Sequence, residues 1–495
     1  MNSTRSQNPF LLVLLIVGLL GLLSLLKPGL TVGGVALRPV RLLADVLRHE
    51  PATGTAPTAL PPPNGSAPAG PVAALPTPPP IDSAEVMRAP KVANLGGLDS
   101  FLAALHQAKA DGSKVRIAYF GDSMIEGDLI TGDLRNSLQA EFGGTGVGYV
   151  PINSVTADFR ATIHQTFSDD WQEYNLVTAK LPAEYPLGLS GHVFVPRVVG
   201  AADSTGGSTA GASWVDFRAG GAFARVRRFE QARLFYGPGA GRDQVLVTTD
   251  NHAVPHALSG SQALAELVLR PGTPARQMRL AFATHAPRPV YGVSFESDKG
   301  VVLDNFSFRG NSGMSLTRIP FQELAAFGKV QDYRLIILHY GVNVASSQVK
   351  SYRFYERAMT RVVDRMQRAF PQASILIIGM SDKSSRLDGE FVTDPSVPLL
   401  LAAQRRTAQR NHAAFWNLFE AMGGENSMVS WVEDTPPLAN KDYTHVNFRG
   451  AHKIAGLLFD YLMGEYAHVG AAPRPTPAHQ DSATEAAVRS ETTTR

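Results

Sequence analysis

With 495 residues, 44% of them hydrophobic and 18% charged, the chain has the composition of a globular protein and enough material for a large core. A formal net charge of +3, with no dense run of Lys or Arg, excludes the electrostatic footprint of a nucleic-acid binder. Cysteine is absent, which removes disulfides, thiolate chemistry and cysteine-based metal sites together.

The first element in chain order is the unbroken apolar stretch from Phe10 to Leu26, bounded by Pro9 and by Lys27-Pro28. Its length is at the short end for a spanning helix. A cleaved signal peptide and a buried core helix are the alternatives. No small-x-small cleavage site follows between Leu22 and Leu30, and a soluble helix this rich in leucine is unusual. Residues 1–27 therefore read as an N-terminal transmembrane anchor. Orientation is argued both ways. Arg5 precedes the stretch while Lys27, Arg38, Arg41 and Arg48 follow it, which taken literally puts the C-terminal side in the cytoplasm. Long following domains often translocate regardless, and the next segment suggests export. Residues 28–88 form that segment, a linker whose Pro51 to Pro80 tract is rich in Pro, Ala and Thr. It cannot bury a core and reads as a semi-rigid spacer. A similar tail, residues 471–495, reads as disordered.

Between these, residues 89–470 show two textures. Ser100 is placed to cap a helix carrying Phe101, Leu102, Leu105 and Ala108 on one face. Val115 to Phe120 reads as a buried strand and Leu129 to Phe142 as a helix. The alternation resumes with a strand at Val301 to Phe306. Leu335 to Tyr340 is a strand, Tyr352 to Phe370 a helix, Ser374 to Gly379 a strand and Pro398 to Met422 one long helix. A last helix runs from about Arg449 to Met463. Strand–helix alternation predicts an α/β fold with a parallel sheet covered on both faces. From about 150 to 300 the texture is Gly-rich with short alternating pieces. Phe223 to Val226, Gln244 to Thr248, Leu267 to Leu269, Met278 to Phe282 and Val290 to Phe295 read as strands of an inserted β-sandwich.

Four short stretches carry chemistry. In Gly121-Asp122-Ser123 a strand ends, a tight turn follows, and a hydroxyl is exposed near backbone N–H donors. In Asp442-Tyr443-Thr444-His445 a carboxylate is spaced to orient an imidazole whose other nitrogen faces a serine. Gly341-Val342-Asn343 ends the Leu335 strand with an amide able to donate to an oxyanion. Arg309-Gly310-Asn311-Ser312-Gly313 offers an unobstructed N–H at Gly310, with Gly313 a nearby competitor. Singly, each of these is read as an ordinary turn.

Taken in order, the four stretches resemble the sequence blocks of the SGNH, or GDSL-type, hydrolases, over roughly Val115 to Met463. That resemblance implies a flavodoxin-like three-layer fold, interrupted here by the β-rich insert. It implies Ser123 as nucleophile, His445 as general base and acid, and Asp442 as orienter. The oxyanion hole would be the N–H groups of Ser123 and Gly310 with the Asn343 amide. Members often carry an acidic residue after the Asn; this chain has Val344, a departure expected to touch loop support. No cofactor is implied. His106, His164, His192, His339, His412 and His452 lack ligand spacing, so no metal site is indicated.

The stretch Gly121 to Thr131, with Asp122-Ser123 followed by Glu126-Gly127-Asp128, and the β-rich insert right after the first helix resemble a bacterial envelope subgroup whose known type is the peptidoglycan O-acetylesterases, with a jelly-roll-like insert. The resemblance implies an envelope polysaccharide as substrate and a single-pass protein of the inner membrane facing the periplasm. Trp171, Trp214, Tyr236 and Tyr291 could then stack on sugar rings, with burial in the core as the competing reading. An O-acetyl esterase, a polysaccharide O-acetyltransferase using the same triad, and a non-catalytic glycan-binding membrane tether all remain open. The sequence names no protein partner.

Overall fold

The computed structural model of the chain describes residues 97–198, 212–239, 243–250, 252–260 and 262–471, together with a small antiparallel ladder pairing Thr31–Val32 with Val35–Ala36. The chain forms two compact units, Met1–Pro78 and Pro79–Arg495. The expected membrane helix, the body of the linker and the tail lie outside the described residues. Among the described residues no helix is long and apolar enough to cross a membrane.

The second unit is built on five parallel strands. They are β1 (Lys114–Gly121), β2 (Gly300–Ser307), β3 (Tyr333–His339), β4 (Ser374–Gly379) and β5 (Ala414–Asn417), in the spatial order 2-1-3-4-5. Near-continuous apolar runs such as Val-Arg-Ile-Ala-Tyr-Phe in β1 suit strands covered on both faces. Alternate side chains divide between two cores. Val115, Ile117 and Tyr119 meet helices α1 (Asp99–Asp111), α2 (Thr131–Phe142) and α6 (Phe448–Ala471). Ala118 and Phe120 face the side of α3 (Phe321–Gln331), α4 (Arg353–Ala369) and α5 (Ser396–Arg410). Each buried Leu, Ile or Phe on these stripes contributes roughly 1.5–3 kcal/mol. The 2-1-3-4-5 order reverses direction between β1 and β3, which is where open α/β sheets place their sites.

Two antiparallel sheets are inserted between α2 and β2. One has five strands: His252–Ala257, Gln244–Thr249, Gln277–Ala283, Ser213–Ala219 and Ile163–Phe167. The other joins Ala265–Leu269, Gln231–Tyr236, Val290–Glu296, His192–Val195 and Gln172–Asn175, with Gly148–Val150 pairing on Val290–Glu296. Val215, Phe217, Leu280 and Phe282 interleave with Leu234, Val293 and Phe295 to fill the space between the sheets. Buried ions tie this sandwich to the parallel sheet. Arg116 of β1 pairs with Asp304 of β2 at 2.8 Å and with Glu296 of the insert. The hydroxyl of Tyr333 donates to Asp304 at 2.5 Å.

Three expectations are corrected. Phe223 to Val226 is not a strand: Ala224–Val226 is a single 3-10 turn, closed by the Val226 N–H on the Phe223 carbonyl, and the ladder is taken by Gln231–Tyr236. The long helix from Pro398 to Met422 is broken. It stops at Arg410, His412 takes a left-handed φ of 51°, and Ala414–Asn417 joins the sheet as β5 before a separate short helix, Leu418–Met422. Ser100 caps nothing; helix α1 starts at Asp99, and the Ser100 hydroxyl donates to the Gln372 carbonyl at 2.5 Å.

Candidate active site

Strand β1 ends at Gly121 and the chain turns through Asp122 into the 3-10 segment Ser123–Asp128. Asp122 makes the turn, its Oδ1 accepting the Met124 N–H at 3.0 Å as an Asx turn does. Ser123 is thereby left half-buried at the carboxyl end of the sheet. The loop before α6 meets it there. His445 Nε2 is 3.1 Å from Ser123 Oγ, and His445 Nδ1 is 2.8 Å from Asp442 Oδ2. The other Asp442 oxygen accepts the N–H groups of Thr444 and His445, both at 3.0 Å. The carboxylate thus closes the loop as well as holding the ring.

Burial pushes the Asp442 carboxyl upward. The His445 N–H, the imidazole and the Thr444 N–H outweigh that and hold it below the usual range. An ionised Asp442 accepts a hydrogen bond from Nδ1–H, which keeps that proton on Nδ1, so the lone pair of Nε2 is the one that faces Ser123. Tyr443, at φ 54°, stacks on Phe391 with ring centroids 3.7 Å apart. Phe391 belongs to a hairpin, Ser384–Leu387 with Glu390–Thr393, whose Ser384 N–H also donates to the Tyr443 carbonyl at 2.9 Å. Nothing in the sequence pointed to this hairpin as a support for the histidine loop.

The remaining motif residues gather at the same end. Asn343 follows β3, and its Nδ2 donates to Asp122 Oδ2 at 3.0 Å and to the Asn311 carbonyl at 3.2 Å. Both amide hydrogens are engaged. Gly310, at φ 75°, sits in the loop after β2 with open space where a Cβ would be. The Gly313 N–H is taken by Asn311 Oδ1 at 2.9 Å, whereas those of Gly310 and Ser123 have no partner among the described residues. Of the two competing glycines, Gly310 is the one with an N–H to offer. Beyond Asn343 and Val344 the loop is held by the Tyr352 hydroxyl, which accepts the Ser346 N–H at 2.9 Å.

Asp122 is therefore a turn former that also grips Asn343. Burial is the largest influence on its carboxyl, which is pushed up to about 6 despite the Met124 N–H, His445 and the Asn343 amide. In the unfolded chain it titrates near 3.8. Between those values the unfolded state ionises first, so stability falls as pH rises through that window and is level above it. Asp122→Asn removes this slope. The difference between wild type and Asp122→Asn in urea unfolding should change between pH 4 and pH 6.5, roughly the titration window. A difference that is the same at both values contradicts the burial effect.

Behind the serine turn, Asp128 is fully buried and gathers five side chains. It accepts from Arg135, Arg160, Thr131, Thr162 and Asn305. Burial pushes its carboxyl up, but Arg135 and Arg160 outweigh that and hold it far below the usual range. Arg309, next to Gly310, grips the buried Glu126 carboxylate through Nε and Nη2 at 2.9 and 2.5 Å, linking the loop after β2 to the serine turn. The partners of Asp128 and Glu126 come from other elements, which sequence spacing does not reveal.

The four aromatic side chains considered for sugar stacking are placed otherwise. Tyr236 and Tyr291 are 1% and 0% exposed, and Trp171, at 8%, packs edge-on against Phe282 inside the sandwich. Trp214 is part-buried with the Arg279 guanidinium 3.8 Å above its ring. Trp171 and Tyr236 fill the sandwich interior and Tyr291 packs against Phe327 of α3, so these three present no free face to a sugar; Trp214 is not part of that interior and has the Arg279 guanidinium over its ring. His339 is buried beside the Tyr119 hydroxyl at 3.0 Å, and burial pushes it down to about 4. Among the described residues no group of His, Asp and Glu side chains is arranged to hold a metal ion.

No protein-family profile matches the chain, and no curated relative does. Solved structures do. A peptidoglycan O-acetylesterase superposes with a TM-score of 0.61 at 21% identity, covering 77% of this chain and 100% of that one. A family two carbohydrate esterase from Cellvibrio japonicus gives 0.25 at 10% identity, over 62% of this chain and 99% of that one. A lipase/acylhydrolase from Enterococcus faecalis gives 0.26 at 12% identity, over 34% of this chain and 78% of that one. The first likeness shows a shared fold, a parallel α/β sheet carrying a β-sandwich insert.

Proposed function

We propose that this chain is a serine-nucleophile carboxylic ester hydrolase that removes O-acyl groups, O-acetyl first among them, from a cell-envelope polysaccharide such as peptidoglycan. The single observation that carries this reading is the relay Ser123–His445–Asp442 at 3.1 and 2.8 Å. Ser123 Oγ attacks the ester carbonyl while His445 Nε2 takes its proton. The oxyanion that forms is met by the N–H groups of Ser123 and Gly310 and by the Asn343 amide, which exchanges one of its two resting partners for it. Collapse expels the sugar hydroxyl, protonated by His445, and leaves an acyl-serine. Water, deprotonated by the same nitrogen, releases the acid and restores Ser123.

A polymer substrate suits the openness of the site. The side chains of His445 and Asp442 are 40% and 50% exposed, so a long chain can lie across them without threading. A solved structure of like fold is a peptidoglycan O-acetylesterase, which supports the same substrate class. The apolar stretch Phe10 to Leu26 adds the reading of a tethered enzyme working outside the cytoplasm.

Transfer to a sugar hydroxyl would use the same acyl-serine, so products decide. The full-length protein incubated with O-acetylated peptidoglycan should release free acetate, and an added acceptor oligosaccharide should gain no mass. Acetyl groups appearing on the acceptor would make the protein a transferase. Hydrolysis of p-nitrophenyl acetate without release from any acetylated polymer would remove the polysaccharide from the reading.

A further inference from the structure

A cleft of about 290 Å³ opens where the insert meets the parallel sheet, with part of the serine turn in its wall. From the sheet side it is walled by Glu126 and Gly127 of the serine turn and by Ser307, Phe308 and Arg309 of the loop that leads to Gly310. From the insert side come Asn153, the Glu173 and Asn175 strand end, and His192. Ser123 is three residues from Glu126, so the serine turn joins the reacting centre to a wall of the cleft, with the two Cα atoms no more than about 11 Å apart. The volume is at the lower end of small-molecule sites, about 300 Å³, which fits one ring better than a run of them.

The chemistry of its walls is that of a polyol site. Each charged side chain lining it is already paired within the protein: Glu126 with Arg309, Glu173 with His192, and Arg160 with Asp128. A charged ligand would find no unpaired counter-ion. The hydrogen-bonding groups without a partner among the described residues include the Asn153 amide, His192 Nε2, Ser307 Oγ and the buried Ser190 Oγ. They supply both donors and acceptors, as ring hydroxyls require. Apolar surface accompanies them. The Phe308 ring lies 5.1 Å from that of His192, and Phe159, 48% exposed, packs against Gly127 at the rim.

We propose that this cleft is a subsite for one neutral sugar residue of the polymer, adjacent to the residue whose ester is cleaved. The insert then contributes to recognition through its junction with the sheet and not through its interior aromatics. This rests on the polysaccharide reading above, and the experiment separates the two. Full-length Ser123→Ala protein, in which turnover is blocked, is titrated with the N-acetylglucosamine trimer and with a peptidoglycan stem pentapeptide. The trimer should bind, and Asn153→Ala or His192→Gln introduced in that background should each weaken it about tenfold, the worth of one good hydrogen bond. With Ser123 intact, the same two substitutions should lower the ratio of kcat/KM for acetylated polysaccharide to that for p-nitrophenyl acetate by about tenfold. Binding of the peptide in place of the trimer, trimer binding untouched by both substitutions, or an unchanged ratio would each overturn the subsite. Failure of the esterase reading would show separately, as p-nitrophenyl acetate hydrolysis that survives Ser123→Ala.

Discussion

Ser123→Ala should lower kcat/KM for p-nitrophenyl acetate by roughly 10⁴- to 10⁶-fold, with the protein still folded. The size follows from the geometry. With the hydroxyl gone, His445 Nε2 loses the partner it holds at 3.1 Å, and no acyl-enzyme can form. What remains is binding and the oxyanion donors, worth about 10³–10⁴ over water. His445→Ala should cost a similar factor, because the two groups act as one unit. The double variant should be no worse than either single one. Multiplying effects would mean that serine and imidazole work independently, against the relay. Equal activity in wild type and Ser123→Ala would remove the nucleophile altogether. The measurement is steady-state hydrolysis, with near-ultraviolet circular dichroism as the check on folding.

Asp128→Ala should produce the largest loss of stability, about 3–5 kcal/mol in urea unfolding, because it strands buried cations. Arg135 is 1% exposed and Arg160 is 7% exposed, and both lean on this one carboxylate. Water cannot replace it. Asp128→Asn keeps the shape and some hydrogen bonds but not the charge, so its loss should be smaller. The acid limb gives an independent view. The Asp128 carboxyl is held far below the usual range in the fold, so its contribution is complete at neutral pH. It is lost as pH falls through and below the unfolded carboxylate value of 3.8. The Asp128→Ala protein should therefore lose less stability on acidification than wild type. A loss under about 1 kcal/mol would mean that the two guanidinium groups find other acceptors. Activity should fall with stability, since Asp128 closes the turn that begins at Ser123.

The strands of the parallel sheet were legible because burial on both faces writes a continuous apolar run between turn residues, as in β1, β3 and β4. Strand β5 was not. Ala414-Phe415-Trp416-Asn417 carries no β-branched residue and adjoins two helical stretches, so local propensity extended the helix across it. Only the open edge of β4, waiting for a parallel partner, makes it a strand. Similarly, Tyr236 and Tyr291 looked available to a sugar because an aromatic in a strand reads alike on either face. Which face is inside depends on what packs there: the second sheet covers Tyr236, and Phe327 of α3 packs on Tyr291.

By itself the sequence determined the chemistry on offer: a serine after a strand, an Asp and a His three apart, an Asn at another strand end, and their order along the chain. These are local patterns, set by a few neighbouring residues and the period of burial, and a linear string carries them intact. The tertiary structure alone decided what those groups touch. It gave Asp122 the Asn343 amide and laid Arg160 of the insert on Asp128. It also opened the cleft between insert and sheet. Those contacts join positions tens to hundreds of residues apart. They depend on how packed layers approach one another, a distance fixed by the summed volume of the core and not by any stretch of chain taken alone.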